Sequence, residues 1–278
     1  KGDIKMKDNK KAALITGATS GIGKEFARRF AGLQYNLIIT GRRENKINMV
    51  AEEIRKEFNV SVEVIIVELS AASELERLIE TVENRDIDVL VNNAGFGLNA
   101  FFDETDLDKF LKMEAVHVNA PMEITYTVLK GMMKRNNGTI INVSSDGAFL
   151  LVPKNTVYAS TKAFLKTFTE GLNLEMKAKG KNIKLQALCP GLTRTDFHEK
   201  MGMDKSRQVD KGMMKWNTPS FIVDCSLEAL KKDKVVCIPG ATTKFLIGFL
   251  NLLPRKSYYN FMINFCKKNF NKKEKTSA

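Results

Sequence analysis

Residues 12–23 read AALITGATSGIG, a short apolar run followed at once by three glycines within seven positions. The apolar run is typical of a strand covered on both faces, and an amphipathic helical pattern begins at Gly21. Glycines at a strand-to-helix junction let the backbone approach a pyrophosphate, while the helix N-terminus supplies free N–H groups. The spacing G-x-x-x-G-x-G, with no Lys-Ser or Lys-Thr after it, disfavours nucleoside triphosphate hydrolysis. The candidate phosphate-binding turn comprises Gly17, Thr19, Ser20, Gly21, Ile22 and Gly23; the alternative is a glycine-rich turn that binds no ligand.

The same alternation of apolar run, turn and amphipathic stretch continues to about Pro239. Strands are predicted at residues 12–16, 36–40, 62–67, 89–92, 138–144, 183–189 and 234–238. Helices are predicted near residues 21–32, 44–58, 73–84, 105–135, 155–179 and 219–232. This alternation predicts an α/β fold, a single Rossmann-like doubly wound domain with a parallel sheet. We expect a polar N-terminal tail at 1–10, the domain at 11–240 and a C-terminal helical extension at 241–278.

The composition is that of an ordinary soluble globular protein, with 278 residues of which 44% are apolar and 27% charged. Its four cysteines are scattered and it has two histidines, which argues against a disulfide framework and against a metal site. Scattered thiols without a framework fit a reducing cytoplasm, and residues 1–11 lack the apolar stretch of a secretory signal, so we expect a cytoplasmic protein. The net charge of +12 is concentrated near the two ends of the chain, so we expect no nucleic-acid binding.

Two arginines follow the second predicted strand, where a dinucleotide-binding fold meets the adenosine ribose. Residues 38–44 read IITGRRE, with no carboxylate before Glu44. A carboxylate at this place grips the free 2′-hydroxyl of NAD(H), whereas arginine accommodates the 2′-phosphate of NADP(H). Arg42 and Arg43 therefore predict a preference for NADP(H) over NAD(H). The alternative is a solvated arginine pair at a helix start, although the helix dipole disfavours cations there.

Tyr158 and Lys162 lie one helical turn apart, so that a phenol and an ammonium share a helix face. A nearby ammonium lowers the pKa of a phenol, and such a pair is suited to proton transfer at an oxygen. Tyr126 and Lys130 have the same spacing, but Ser145 stands thirteen residues before Tyr158 at the end of a predicted strand. A hydroxyl at the carboxyl end of a strand lies at the ligand crevice of a doubly wound sheet. We therefore select Tyr158 as the functional tyrosine and expect Tyr126 to pack in a helix.

In combination these motifs resemble the classical short-chain dehydrogenases/reductases, from residue 11 to about residue 240. Residues 16–23, TGATSGIG, resemble the cofactor turn of that family, and residues 92–95, NNAG, resemble its fourth-strand motif. Residues 190–195, PGLTRT, are similar to the segment that holds the nicotinamide carboxamide. The catalytic residues of the family match Asn119, Ser145, Tyr158 and Lys162.

The resemblance implies hydride transfer between a nicotinamide cofactor and a carbonyl or alcohol substrate. Tyr158 would be the general acid, Lys162 would bind the nicotinamide ribose and lower the tyrosine pKa, and Ser145 would hold the substrate oxygen. Asn119 would anchor a water of the proton relay. Glu68 replaces the usual aspartate of the family, and Thr161 replaces its usual serine. Further implied cofactor contacts are Glu68, Leu69, Asn93, Ala94, Gly95, Tyr158, Lys162, Pro190, Gly191, Thr193 and Thr195.

Residues from about 193 to 218 resemble the substrate lid of the family, and they carry Phe197, Met201, Met203, Met213, Met214 and Trp216. Methionines form adaptable apolar surfaces, which fits a lipophilic substrate such as a steroid or an acyl chain. The other interpretation, which we favour slightly, is that these residues pack the lid onto the core. Farther on, a set of apolar residues at helical spacing among basic ones predicts an amphipathic basic helix. The apolar set is Tyr258, Phe261, Met262, Phe265 and Cys266.

The sequence thus predicts an NADP(H)-dependent carbonyl reductase, or an alcohol dehydrogenase in reverse, that forms a homodimer or homotetramer. The C-terminal helix is expected to dock on its own domain or on a partner subunit rather than on a membrane surface. An epimerase or dehydratase on the same scaffold is the nearer rival, but no extra acid/base pair accompanies the core set. A cofactor-binding sensor without catalysis is a further alternative, which the intact catalytic set disfavours.

Overall fold

The computed structural model describes residues 11–201, 206, 208–210 and 215–274. Within these ranges seven strands form one sheet: β1 (Ala12–Ile15), β2 (Asn36–Gly41), β3 (Val62–Ile66), β4 (Val89–Asn92), β5 (Gly138–Val143), β6 (Ile183–Leu188) and β7 (Val236–Cys237). Their order is β3-β2-β1-β4-β5-β6-β7, and neighbouring strands are parallel. The direction of the chain along the sheet reverses between β1 and β4, which places the ligand crevice at their carboxyl ends.

Helices connect and cover the strands: α1 (Gly21–Gly32), α2 (Glu44–Phe58), α3 (Ala72–Glu83), α4 (Leu107–Glu114), α5 (Ala120–Arg135), α6 (Thr156–Ala178), α7 (Asp196–Lys200), α8 (Pro219–Lys231), α9 (Ala241–Leu252) and α10 (Arg255–Glu274). The helix predicted near 105–135 is two helices joined by a π-helical turn, Ala115–Asn119. Short turns of this kind are frequent at functional sites. Within the described ranges, no helix is both long and apolar enough to cross a bilayer.

The sheet is buried because each strand sends alternate side chains into two separate cores. In β1, Ala13 and Ile15 join the core under α1, α2 and α8, whereas Leu14 joins the core under α3, α5 and α6. Phe26 of α1 anchors the first core and Leu78 of α3 the second; both are fully buried. Strands covered on both faces explain the nearly continuous apolar runs of the sequence.

The predicted α/β fold with a doubly wound parallel sheet is confirmed, and the strand and helix ends move by only one or two residues in most elements. Helix α9 was expected only as part of an unspecified extension. Helix α10 forms, and Tyr258, Met262 and Cys266 are buried as its apolar stripe requires. Phe261 is an exception, because it is 52% exposed. Residues 1–10, the side chain of Phe265 and the lid residues Met203, Met213 and Met214 lie outside what the structure describes.

Candidate active site

A cavity of about 350 Å³ lies at the carboxyl ends of the strands. Residues that follow each of β1 to β6 line it, together with Tyr158 and Lys162 of α6. Among the described residues on its wall are all the predicted cofactor contacts except Gly23. The cavity therefore joins the glycine turn at one end to the predicted reactive groups at the other.

The glycine turn is held close to the end of β4. Gly17 has φ +68°, and a Cβ on it would lie 2.7 Å from Cα of Ala94. The amide of Asn93 donates hydrogen bonds to the carbonyl oxygens of Thr16 at 3.0 Å and Gly17 at 3.1 Å. Gly23 does not line the cavity but lies below the turn, where a Cβ would overlap the Asn93 side chain. Only glycine fits both positions, because of the left-handed backbone at one and the close packing at the other.

The predicted adenosine end of the cavity carries both arginines, and each already has a partner in the protein. Arg42 forms an ion pair with Glu68 at 2.8 Å, and Arg43 donates to Oγ1 of Thr19 at 2.7 Å. Burial opposes ionisation of Glu68, but the hydrogen bonds from Arg42 and Ser70 outweigh it and lower the Glu68 pKa. An anion that bound Arg42 would therefore have to share this guanidinium with the Glu68 carboxylate.

Two observations indicate that the glycine turn and the end of β2 can hold a pyridine dinucleotide. Gly17 and Gly21 line the cavity with positive φ angles and carry no side chain, so the wall at the turn is bare backbone that a phosphate group can approach. Oγ1 of Thr40, at the end of β2, is buried on the cavity wall and finds no hydrogen-bond partner among the described residues. A buried hydroxyl without a partner is costly, which is consistent with a polar ligand at this place.

The reactive end brings Ser145, Tyr158 and Lys162 onto the wall of the same cavity. Nζ of Lys162 is buried and donates to the carbonyl oxygen of Val143 at 3.0 Å, and it lies 5.7 Å from the centroid of the Tyr158 ring. The hydroxyl of Ser144 donates to the carbonyl oxygen of Lys162 at 2.7 Å. The end of β5 is thus tied to the helix that carries the tyrosine and the lysine.

The pKa values at this end differ from the sequence expectation. Burial raises the pKa of Tyr158, hydrogen bonding with Ser145 opposes the shift, and the nearby Asp146 carboxylate adds to it. Burial lowers the pKa of Lys162 to about 8. The expected lowering of the tyrosine pKa is not observed, because the ammonium is directed to a backbone carbonyl near the ring rather than to the phenol hydroxyl.

Asp146 is a cavity residue that sequence reasoning missed. Its Oδ1 accepts a hydrogen bond from the Ser145 hydroxyl at 2.9 Å, and burial raises its pKa. The signal available in the sequence was its position directly after the predicted catalytic serine. Asp146 therefore places a carboxyl group that can titrate beside the hydroxyls of Ser145 and Tyr158.

His117 is a second residue whose place the sequence did not explain. It is fully buried, and its ring meets the Tyr158 ring edge-on at 5.7 Å between centroids. Its Nε2 accepts from the backbone N–H of Phe96 at 3.1 Å. Its Nδ1 lies 3.0 Å from Oγ1 of Thr161, whose own proton is donated to the Tyr158 carbonyl oxygen. The network therefore assigns the neutral tautomer with the proton on Nδ1.

Asn119 and Tyr126 lie away from the cavity wall. Asn119 ends the π-helical turn, and its amide nitrogen is 3.4 Å from Oε2 of Glu114. Its predicted role in a proton relay stays a prediction. Tyr126 is in α5 as expected, but it is 67% exposed rather than packed, with Nζ of Lys130 4.6 Å from its ring centroid. Of the two tyrosine–lysine pairs, the structure thus brings Tyr158 and Lys162 to the cavity.

Part of the predicted lid closes the substrate end of the cavity. Phe197 and Met201 line it, and the rings of Phe197 and Tyr158 lie 5.8 Å apart. A Cβ on Gly97 would overlap Sδ of Met201, so the lid packs directly on the loop after β4. Trp216 is 7% exposed, which fits the interpretation that some lid residues serve packing. Leu192 and Asn155 complete the wall, and Oδ1 of Asn155 finds no partner among the described residues.

Comparison with known proteins agrees with this arrangement. A family model described as short chain dehydrogenase matches residues 11–206. The very-long-chain 3-oxoacyl-CoA reductase of Mus musculus is 31% identical over 260 residues, which cover 92% of this chain and 79% of that protein.

Solved structures give the same result. A short-chain dehydrogenase from Sphingobium yanoikuyae in complex with NADPH superimposes with a TM-score of 0.77 at 27% identity, covering 83% of this chain and 88% of that one. A bulky-bulky ketone specific alcohol dehydrogenase from Comamonas testosteroni has a TM-score of 0.73 at 26% identity, covering 95% and 94%. Sequence match, sheet order and cavity agree, and the chain belongs to the short-chain dehydrogenase family of oxidoreductases.

Proposed function

We propose that this protein is an NADPH-dependent reductase of lipophilic ketones, with 3-oxoacyl thioesters as the leading substrate class. The observation that carries the proposal is that Ser145, Tyr158 and Lys162 share one cavity with the glycine turn. A hydroxyl, a phenol and an ammonium converge there beside a cradle suited to a dinucleotide. The predicted catalytic and cofactor-binding roles of these residues are part of the proposal.

The residues of the chain supply proton transfer and orientation. A bound nicotinamide dinucleotide supplies the hydride that adds to the carbonyl carbon. Tyr158 donates a proton to the carbonyl oxygen, and its raised pKa keeps the phenol protonated at neutral pH. Ser145 donates a hydrogen bond to the same oxygen and stabilises the charge that develops on it. Lys162 holds a positive charge beside the phenol, fixed by its bond to Val143.

The preference for NADP(H) is supported by the two guanidinium groups at the end of β2. Both line the cavity, and Arg42 is 60% exposed, so it is accessible to a phosphate group. Guanidinium binds phosphate through parallel, charge-assisted hydrogen bonds. The structural relative from Sphingobium yanoikuyae was solved with NADPH.

The lipophilic substrate is supported by the wall of the cavity beyond the reactive groups. Phe96, Leu192, Phe197 and Met201 are apolar residues of that wall. Met201 is unbranched and polarisable, so it adapts to different apolar ligands. The relatives named above act on an acyl-CoA ketone and on bulky ketones, which points to the same class of substrate.

A substrate panel followed by NADPH absorbance tests the proposal. The panel consists of 3-oxoacyl thioesters of increasing chain length, bulky aryl ketones and steroid ketones, each with NADPH and with NADH. We expect consumption of NADPH with at least one lipophilic class and a preference for longer acyl chains. Cofactor binding without turnover of any ketone would favour the sensor alternative. Product formation without net NADPH consumption would favour an epimerase or dehydratase.

A further inference from the structure

Helix α9 presents apolar side chains to solvent as well as to the protein. Leu250 is buried, whereas Phe245, Phe249 and Leu252 are 64%, 52% and 85% exposed. Spacings of four and three residues place these three side chains on one side of the helix. A Cβ on Gly248 would meet no heavy atom within 4 Å, so the same side is open between them. We call Phe245, Gly248, Phe249 and Leu252 the α9 face.

Docking of the extension on its own domain does not use the α9 face. The opposite side of α9 joins α10 in a small core of Leu250, Tyr258 and Met262. That core packs on Leu150 and Val152 of the loop between β5 and α6. Intramolecular packing therefore accounts for the inner side of the extension and leaves large apolar side chains outside. Exposed apolar clusters of this kind are characteristic of binding surfaces.

The segment of the chain that carries the α9 face has charge of almost one sign. Residues 234–273 contain eight Lys or Arg side chains and no Asp or Glu. Five of the cations whose side chains the structure describes are exposed: Lys234 lies before β7, Lys244 directly precedes the α9 face, Arg255 and Lys256 follow it, and Lys267 lies farther along α10. A stretch of forty residues without a carboxylate concentrates positive potential on the extension and attracts an anionic partner.

We propose that the α9 face docks this protein on the surface of an anionic lipid bilayer. Phenylalanine and leucine side chains insert at the boundary of headgroups and acyl chains, and flanking Lys and Arg bind anionic headgroups. Pairing of the α9 face with a second copy would bring two equal sets of cations together, because a twofold contact joins the same patch of both subunits. Charge therefore favours lipid over self-association.

The extension also touches the active-site cavity. A Cβ on Gly191, which lines the cavity, would lie 3.0 Å from Oγ1 of Thr243 in the first turn of α9. Docking of α9 therefore brings the cavity near the bilayer, where a long acyl or steroid ketone is dissolved. This consequence rests on the proposed function, whereas the docking itself does not.

Sedimentation of the full chain with lipid vesicles tests the docking. We expect binding to phosphatidylcholine vesicles that contain phosphatidylglycerol, weak binding to pure phosphatidylcholine, and release by salt. Leu252→Glu, which changes a largely exposed side chain, should lower the partition coefficient at least about tenfold. Arg255→Gln and Lys256→Gln should lower it about fivefold each.

Met49→Glu is the matched control, because Met49 is 64% exposed on α2 and lies outside the extension. It should leave vesicle binding unchanged, and Leu252→Glu should leave the melting temperature and the turnover of a short, water-soluble ketone unchanged. Equal binding to neutral and anionic vesicles, absence of binding, or equal losses in Met49→Glu and Leu252→Glu would overturn the proposal. Loss of a dimer by sedimentation in Leu252→Glu, without loss of vesicle binding, would instead make the α9 face a contact between copies.

Discussion

The hydroxyl of Ser145 donates a hydrogen bond to Oδ1 of Asp146 at 2.9 Å, while the backbone N–H of Gly147 donates to the same hydroxyl at 3.1 Å. The single proton of the serine is therefore engaged by a carboxyl group and is withheld from a substrate oxygen. When Asp146 is protonated, the hydrogen bond can reverse and the serine proton is released. Burial raises the pKa of Asp146, so this exchange occurs above the ordinary range of an aspartate.

We predict that ketone reduction slows as the pH rises through the pKa of Asp146. Ionised Asp146 holds the Ser145 proton, and a hydrogen bond to a charged group contributes about 1.5–3 kcal/mol, which corresponds to about ten- to a hundredfold in rate. Asp146 also faces the N–H of Gly147, the phenol of Tyr158 and the thiol of Cys189. Burial raises the pKa of the phenol and that of the thiol, so both remain neutral in this range. The asparagine in Asp146→Asn cannot titrate, so the kcat/KM of this variant should not show this decrease as the pH rises. If kcat/KM decreased at the same pH in the wild type and in Asp146→Asn, the decrease would belong to another titrating group.

A second prediction concerns the proton donor. Tyr158→Phe should lower kcat by about 10²- to 10⁴-fold, because the phenol is the positioned acid. NADPH binding, measured by fluorescence titration, should change little, since the glycine turn and Arg42 hold the other end of the dinucleotide. Tyr126 has the same spacing to a lysine but is exposed on α5, so Tyr126→Phe should leave kcat unchanged. Activity of Tyr158→Phe within a few-fold of wild type would exclude the mechanism.

The third prediction concerns cofactor choice. Arg42→Ala should raise the KM for NADPH roughly tenfold or more, since one lost charge-assisted hydrogen bond corresponds to about 1.5–3 kcal/mol. The KM for NADH should be nearly unchanged. Glu68→Gln is the complementary variant, because it removes the carboxylate that competes for Arg42 and should lower the KM for NADPH. Equal effects of Arg42→Ala on both cofactors would make Arg42 and Arg43 an ordinary surface pair.

The sheet and most helix ends followed from the sequence because local and tertiary preferences agree there. The apolar runs of β1 and β2 are continuous, as burial on both faces requires, and the glycine turn begins α1 where the pattern placed it. The motif around Ser145 and Tyr158 was found by spacing, and the cavity joins these residues as the parallel sheet dictates.

Features that depend on contacts between distant segments were not predictable in the same way. Arg42 pairs with Glu68, which follows β3, and the hydrogen-bond partners of His117 are Phe96 and Thr161. The sequence did not predict helix α9 as a separate element. Its apolar residues lie on both sides of the helix, so they form no single stripe that marks a helix. The tyrosine pKa moved opposite to expectation because burial, which a sequence does not display, raises it, and the nearby Asp146 carboxylate adds to the shift.

The fourth prediction concerns the attachment of the extension. The hydroxyl of Tyr258 accepts from the backbone N–H of Leu151 at 2.7 Å and donates to the carbonyl oxygen of the same residue at 3.2 Å. Tyr258→Phe leaves both backbone groups without this partner, which should lower the free energy of unfolding by about 1–3 kcal/mol. Tyr259→Phe changes a ring that is 49% exposed and should be nearly neutral. Urea denaturation of both variants distinguishes them, and equal midpoints would show that the hydroxyl does not stabilise the loop.

The last prediction uses His117 as a probe of stability against pH. Burial, together with the nearby Lys162 ammonium, holds the pKa of His117 well below its ordinary value. Below about pH 6.5 the unfolded chain therefore binds a proton that the folded chain does not, and stability is lost as the pH falls. The slope reaches at most about 1.4 kcal/mol per pH unit for one proton. In denaturation between about pH 7 and about pH 5.5, His117→Asn should flatten this slope, even if the variant is less stable throughout. The chain has only one other histidine, so His198→Asn is the control and should keep the wild-type slope. If wild type and His117→Asn lost stability in parallel, the pH dependence would belong to other groups and His117 would titrate alike in both states.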